Sequence, residues 1–165
     1  MSWTIREERA GDEKAIHALT RRAFEGHPYS DGDEAEVIDR LRADGDLLLS
    51  LVAVESGNIV GQVTYSTARL SSGDEGWLVV GPVAVEPARQ GAGIGRALLE
   101  AGEAAMRARG AKGITVLGDP ALYSRFGYVQ HTPMQLEGEV GEYLQVKSFG
   151  VPIPAATLTY APAFG

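Results

Sequence analysis

The chain has 165 residues, of which 44% are hydrophobic and 22% charged, and these proportions are those of an ordinary globular protein. Its net charge of −7 argues against a general nucleic-acid-binding protein, and the absence of cysteine excludes a disulfide framework, a thiolate zinc site and a cysteine nucleophile. Apolar runs are too short for a transmembrane helix, and the N-terminus has no signal-peptide pattern. We therefore expect one cytoplasmic domain over residues 1–165, with no membrane or nucleic-acid partner.

The first half of the chain combines strand and helix patterns. Asp12 is expected to cap a first helix that ends at Phe24, with His17 on its solvent side. A loop over residues 26–33 follows; it is acidic but lacks the twelve-residue calcium pattern, so we expect a solvated loop. Apolar spacing predicts a second helix, and two apolar runs around a Ser-Gly turn predict a hairpin. The predicted strands cover residues 3–7, 47–54 and 59–67, and the second helix covers residues 34–43.

A further strand is predicted over Trp77–Val85, and it carries Gly81 and Pro82 in its interior. Proline removes a ladder hydrogen bond, so this dipeptide predicts a bulge or a local splay. Apolar residues at helical spacing predict a helix from Gly93 to about Arg109. The strand at residues 114–117 is expected to run parallel to the preceding strand, because the connecting helix favours a right-handed crossover. Weaker signals predict closing strands at residues 143–147 and 156–160.

The loop before that helix has the composition of an anion-binding site. Gly91, Gly93 and Gly95 alternate at the point where a helix begins, and they let an anion approach the backbone closely. The first turn of a helix has N–H groups without partners and partial positive charge. No Lys-Ser or Lys-Thr pair follows, which excludes a P-loop, and Arg96 stands where the dinucleotide fingerprint needs its last glycine. We therefore predict that main-chain amides bind a phosphate here.

A second informative segment begins at Leu117. Asp119 is a good N-cap residue before a proline, and Gly127 suits the left-handed residue that ends a short helix. Tyr123 lies within the first turns of this helix, directly after a buried strand. Phe126 and Tyr128 are interpreted as core aromatics.

Together these motifs resemble one known family. Gln90-x-x-Gly93-x-Gly95 matches the Q/R-x-x-G-x-G/A signature of the GNAT N-acetyltransferases, and the Leu-Gly-Asp-Pro-Ala-Leu-Tyr-Ser-Arg-Phe-Gly run resembles the YhbS-like branch of that family. The resemblance covers nearly the whole chain and is weakest around residues 132–155. It implies an α/β fold with a mixed, mostly antiparallel sheet of about six or seven strands, splayed between the fourth and fifth strands and flanked by about four helices. It also implies transfer of an acetyl group from acetyl-coenzyme A to a primary amine, without a metal.

The resemblance also implies roles for individual residues. Tyr123 is expected to be the general acid that protonates the departing coenzyme A thiolate. The segment between the first two helices is expected to contact the acceptor through His27, Tyr29 and Asp31. The loop and helix start would hold the pyrophosphate, and the fourth strand would pair with the pantetheine arm. The expected coenzyme-binding residues are Val83, Ala84, Val85, Gln90, Gly91, Ala92, Gly93, Ile94, Gly95 and Arg96.

Several alternatives stay open at this point. Glu75, Asp119, His131 and a chain of waters are all candidates for the base that deprotonates the amine. The acceptor is a small-molecule or peptide amine, and the negative net charge is compatible with a cationic acceptor. The protein is a monomer or a homodimer. A non-catalytic acyl-coenzyme A sensor on the same scaffold is the alternative function, because it would retain the phosphate loop.

Overall fold

A computed structural model describes residues 2–28 and 30–165, except for the side chain of Glu139. Within these residues the chain forms seven strands and four α-helices. In chain order they are β1 (Thr4–Glu7), α1 (Glu13–Phe24), α2 (Glu34–Asp44), β2 (Leu47–Glu55), β3 (Asn58–Leu70), β4 (Trp77–Val85), α3 (Ile94–Ala108), β5 (Gly113–Leu117), α4 (Pro120–Tyr123), β6 (Leu144–Ser148) and β7 (Leu158–Tyr160).

The strands form one mixed sheet with the order β1-β2-β3-β4-β5-β6. All neighbours are antiparallel except β4 and β5, which are parallel because α3 returns the chain to the same end of the sheet. The short β7 pairs with the C-terminal end of β3, at Ala68 to Leu70. This architecture confirms the predicted mixed α/β fold. None of the helices in the described part of the chain is long and apolar enough to cross a membrane.

Helices cover both faces of the sheet. On one face, Val52 of β2 packs against Ile16 of α1 and Ile38 of α2. On the other face, Tyr65 of β3 packs in the cluster that includes Leu98 of α3. Alternation along each strand therefore separates a core beneath α1 and α2 from a core beneath α3.

The first helix has the expected bounds, with Asp12 at the N-cap position and Phe24 as its last residue, but two side chains make contacts that the sequence does not indicate. Asp12 is the N-cap residue of α1, but its carboxylate makes no cap bond; it accepts hydrogen bonds from Arg6 and from the Arg9 N–H, both at 2.7 Å. The bond with Arg6 holds the pKa of Asp12 below its ordinary value. His17 does not face solvent freely, because its Nδ1 lies 2.7 Å from a carboxylate oxygen of Asp39 on α2. Side-chain contacts between separate elements leave no pattern in the local sequence.

Candidate active site

The strands β4 and β5 part halfway along β4. They pair at only three positions, and the last pair is Val79 with Thr115. In contrast, β3 stays paired with β4 as far as Val85, with one extra residue in β4 opposite β3. That bulge falls at Gly81 and Pro82, which are joined by a cis peptide bond. The predicted bulge and the predicted splay are therefore both confirmed.

The splay leaves backbone groups of β4 facing an open gap. The Glu86 N–H donates to the Val60 carbonyl at 2.8 Å. Bonded pairs alternate along an antiparallel ladder, so Ala84 bonds to β3 while the N–H and C=O groups of Val83 and Val85 point toward the gap. The Gln90 side chain reaches back to the Val85 carbonyl, with Nε2 3.4 Å from the oxygen. On its β4 side, the gap is therefore lined by backbone N–H and C=O groups that do not pair with β5.

The start of α3 lies directly beyond the end of β4. Gly91 and Gly93 have left-handed backbones, with φ of 84° and 87°. Gly93 is the N-cap residue and no side chain caps the helix. The first helical bond runs from the Ala97 N–H to the Gly93 carbonyl at 3.0 Å. Within the described part of the chain, the N–H groups of residues 91–96 have no hydrogen-bond acceptor, so they are available to an anion.

The residues of this loop differ in burial. Gly91, Ala92 and Gly93 are exposed, whereas the side chain of Ile94 is buried in the core and anchors the helix start. A Cβ on Gly95 would lie 3.5 Å from Val85 Cγ2, which is ordinary contact.

The arginines around the loop are engaged in ion pairs. Arg89 contacts Glu55 of the β2–β3 hairpin at 2.6 Å, and Arg96 contacts Glu100 one turn along α3 at 2.9 Å. An anion at this loop is therefore attracted mainly by main-chain amides and the helix dipole.

A cavity of about 540 Å³ lies between the end of α1 and the start of α2. Its lining brings together His27 and Asp31, two of the expected acceptor contacts. The third, Tyr29, lies outside the described residues. Arg22 also lines this cavity and pairs with Glu86, the residue after β4, at 2.7 Å. Sequence reasoning did not find the Arg22–Glu86 pair, since its members are 64 positions apart.

Tyr123 stands at the end of β5, on the other side of the gap. The Asp119 carboxylate accepts a hydrogen bond from the Ala121 N–H at 2.9 Å and caps α4 as predicted. The Tyr123 ring lies edge to face with Tyr128, at a centroid distance of 5.6 Å. Tyr123 packs on the same core cluster as Val83 and Val85, and burial raises the pKa of its phenol.

The three protein candidates for the base lie in different places. Glu75 precedes β4, so at about 3.3 Å per residue it is roughly 25 Å along the strand from Val83. The Asp119 carboxylate is occupied by the cap. His131 is exposed in a loop, with φ of 57°. No group of three or more His, Asp or Glu side chains that could hold a metal occurs in residues 2–28 and 30–165.

Known proteins share both the sequence and this architecture. The model of the acetyltransferase (GNAT) family matches residues 13–128. The chain is 40% identical to the uncharacterized N-acetyltransferase YhbS of Escherichia coli K12 over 125 residues, which cover 75% of this chain and 72% of YhbS.

Two solved structures superpose over nearly the whole chain. A GNAT family acetyltransferase from Brucella melitensis, in complex with acetyl-CoA, matches with a TM-score of 0.90 and 38% identity, covering 99% of both chains. E. coli YhbS in complex with CoA matches with a TM-score of 0.88 and 32% identity, covering 98% of this chain and 91% of YhbS. The chain therefore belongs to the acetyltransferase (GNAT) family and is an acyl-coenzyme A-dependent acetyltransferase.

Proposed function

We propose that this protein transfers the acetyl group of acetyl-coenzyme A to the primary amine of a small-molecule or peptide acceptor. The observation that carries the proposal is the series of N–H groups at residues 91–96, which lack acceptors and follow directly on a strand that has parted from its neighbour. The complexes of the Brucella protein with acetyl-CoA and of YhbS with CoA support this choice of coenzyme.

The coenzyme is assigned to two adjacent surfaces. Its diphosphate would lie against the amides of residues 91–96, where glycines permit close approach and the dipole of α3 favours negative charge. Its pantetheine arm would pair with the backbone of Val83 and Val85, while Ala84 keeps its bonds to β3. The N–H near Val85 would stabilise the oxyanion that develops on the thioester carbonyl.

The acceptor is assigned to the cavity between α1 and α2. The carboxylate of Asp31 would attract an ammonium group, and His27 would offer a hydrogen-bonding ring nearby. Tyr29, which lies outside the described residues, stays a proposed acceptor contact from the sequence alone. The Arg22–Glu86 pair joins this cavity to the end of β4, so an acceptor here would lie close to the gap.

The proposed chemistry is direct attack within the gap. The amine nitrogen forms a bond to the acetyl carbon, and the carbon–sulfur bond breaks. Tyr123 donates its phenolic proton to the departing sulfur. The proton that the amine loses passes to water, and water returns a proton to the Tyr123 phenolate. A phenol of ordinary pKa is already protonated at neutral pH, and burial raises the pKa of Tyr123 further, so its proton is present when the thiolate departs.

The test replaces Tyr123 by phenylalanine and measures thiol release from acetyl-coenzyme A with an amine found in an acceptor screen. General acid catalysis typically contributes about 10²–10⁴-fold, so we expect kcat to fall by at least about 100-fold while coenzyme A still raises Tm. Tyr143→Phe is the matched control, because Tyr143 is 48% exposed and lies in the neighbouring segment. Unchanged turnover in Tyr123→Phe would remove Tyr123 from the mechanism. Coenzyme binding without transfer to any screened amine would favour a sensor.

A further inference from the structure

Gly118 lies between the end of β5 and the cap residue of α4, and it has no room for a side chain. A Cβ at this position would lie 2.5 Å from Cε2 and 2.9 Å from Cδ2 of Tyr123. Carbon atoms in good contact are about 3.5–4.0 Å apart, so the Tyr123 ring rests directly on the Gly118 backbone. Gly118 is not among the glycines with positive φ. Its backbone conformation is therefore open to other residues, and only the ring excludes them.

The Gly118 peptide is itself held from β6. The side-chain amide of Gln145 donates to the Gly118 carbonyl at 2.9 Å. Gln145 is 1% exposed, so its donor has no access to bulk water and the bond is retained. The Gly118 N–H is directed to the Tyr143 carbonyl at 3.5 Å. The surface under the Tyr123 ring is thus tied to the sheet through a buried side chain.

The remaining contacts of the ring are also made by packing. Tyr128 lies edge to face against it at 5.6 Å, and Phe126 is tilted at 6.5 Å. In the described part of the chain, the Tyr123 hydroxyl makes no hydrogen bond that would orient the ring. The location of the phenolic oxygen is therefore set by the aromatic neighbours on one side and by the Gly118 backbone on another.

We propose that Gly118 is a positioning residue for Tyr123 and that Gln145 keeps Gly118 in place. This inference rests on the proposed role of Tyr123 as general acid. Proton transfer needs heavy atoms about 2.6–3.2 Å apart. A methyl group at Gly118 would displace the ring by about 1 Å, the difference between the 2.5 Å approach and ordinary contact. A displacement of that size costs up to about 100-fold in rate.

The test is a double-mutant cycle of Gly118→Ala and Tyr123→Phe, followed by thiol release with the screened amine. We expect Gly118→Ala alone to lower kcat by about 10- to 100-fold, with the Tm rise on coenzyme A binding unchanged. In the Tyr123→Phe background, where the phenol is already absent, Gly118→Ala should change kcat by less than about twofold. Losses that multiply in the double variant would overturn the positioning role. An unaffected Tyr123→Phe enzyme would instead overturn the general acid.

A second cycle covers the case in which Gly118→Ala does not fold. Gln145→Met keeps a long, unbranched side chain, adds no atoms near the ring and removes the donor to the Gly118 carbonyl. We expect a smaller fall in kcat, of about 3- to 10-fold, that again disappears in the Tyr123→Phe background. If Gln145→Met lowers Tm but leaves kcat of the folded enzyme unchanged, Gln145 has only a structural role and the inference fails.

Discussion

Replacement of Gly93 by alanine separates the anion-binding role of the loop from its folding role. Gly93 has φ of 87°, and a Cβ built there meets no heavy atom within 4 Å. The cost to the free protein is therefore backbone strain alone, about 1–2 kcal/mol for an L-residue in the left-handed region. Gly73, in the turn between β3 and β4, offers a matched control, because it has φ of 82° and equally open surroundings.

The expected shifts in Tm follow from these costs. For a protein of this size 1 kcal/mol corresponds to about 2–4 °C, so each variant should melt roughly 2–8 °C below the parent. Coenzyme A at 100 times its Kd stabilises by about 2.7 kcal/mol, or roughly 5–11 °C. We expect this rise in the parent protein and in Gly73→Ala. In Gly93→Ala the added methyl group enters the open space beside the loop, where the diphosphate is proposed to lie, and we expect the rise to fall below about 2 °C.

Thermal melting of the three proteins, each with and without coenzyme A, gives the comparison directly. Isothermal titration of the same samples supplies Kd independently. A Gly93→Ala protein that melts like Gly73→Ala but keeps the full coenzyme-induced rise would refute the assignment of the diphosphate to this loop. A rise produced by ATP or NAD but not by coenzyme A would refute the choice of ligand.

Two further predictions concern stability. Gly95→Ala should raise Tm by a few degrees in calorimetry, because alanine is favoured over glycine in helices by up to about 1 kcal/mol. The added Cβ would lie 3.5 Å from Val85 Cγ2, which is an ordinary contact distance. A lower Tm would show that this contact is not tolerated. Burial raises the pKa of Tyr65, Tyr128 and Tyr160 above the ordinary value of 10.0. Above about pH 10 the unfolded chain therefore loses phenolic protons first, and the free energy of unfolding should fall by up to about 4 kcal/mol per pH unit for three groups. Urea titrations from pH 9 to 12 check this slope, and a flat profile would contradict it.

The elements that could be predicted from sequence are those with local causes. Helix caps and turns depend on neighbouring residues, so Asp119 capped α4 and Gly127 ended that segment as expected. The bulge at Gly81 and Pro82 was also predictable, because proline cannot donate to either neighbouring strand. In each case the chemistry of one or two residues decides the conformation.

The features that sequence did not reveal depend on how separate elements pack against one another. Asp12 bonds to Arg6 instead of capping α1, and Arg22 meets Glu86 across the fold. Gly118 and Tyr123 are only five positions apart in sequence. The Tyr123 ring nevertheless excludes a side chain at Gly118 only because α4 folds back over the end of β5. A glycine required for its positive φ has turn-forming residues around it in the sequence. A glycine required because a neighbouring side chain leaves no room for a Cβ is identified only once the position of that side chain is known.

The splay and the helix start form one binding surface because of how the chain connects. The connection from β4 to β5 begins at the C-terminal end of β4. Because the two strands are parallel, this connection crosses back over the sheet, and it does so through α3. The bulge lies upstream of that end, so the backbone groups of Val83 and Val85 that face the gap come just before the free amides of residues 91–96. One extended ligand can therefore use strand-like pairing along its arm and helix-terminal amides at its anionic end. Parted strands without free helix-terminal amides could pair with the arm but would have no site for the diphosphate. If a side chain capped α3, its amides would no longer be free for the diphosphate of a ligand whose arm lies along β4. This chain has both the parted strands and the uncapped helix start at one end of β4.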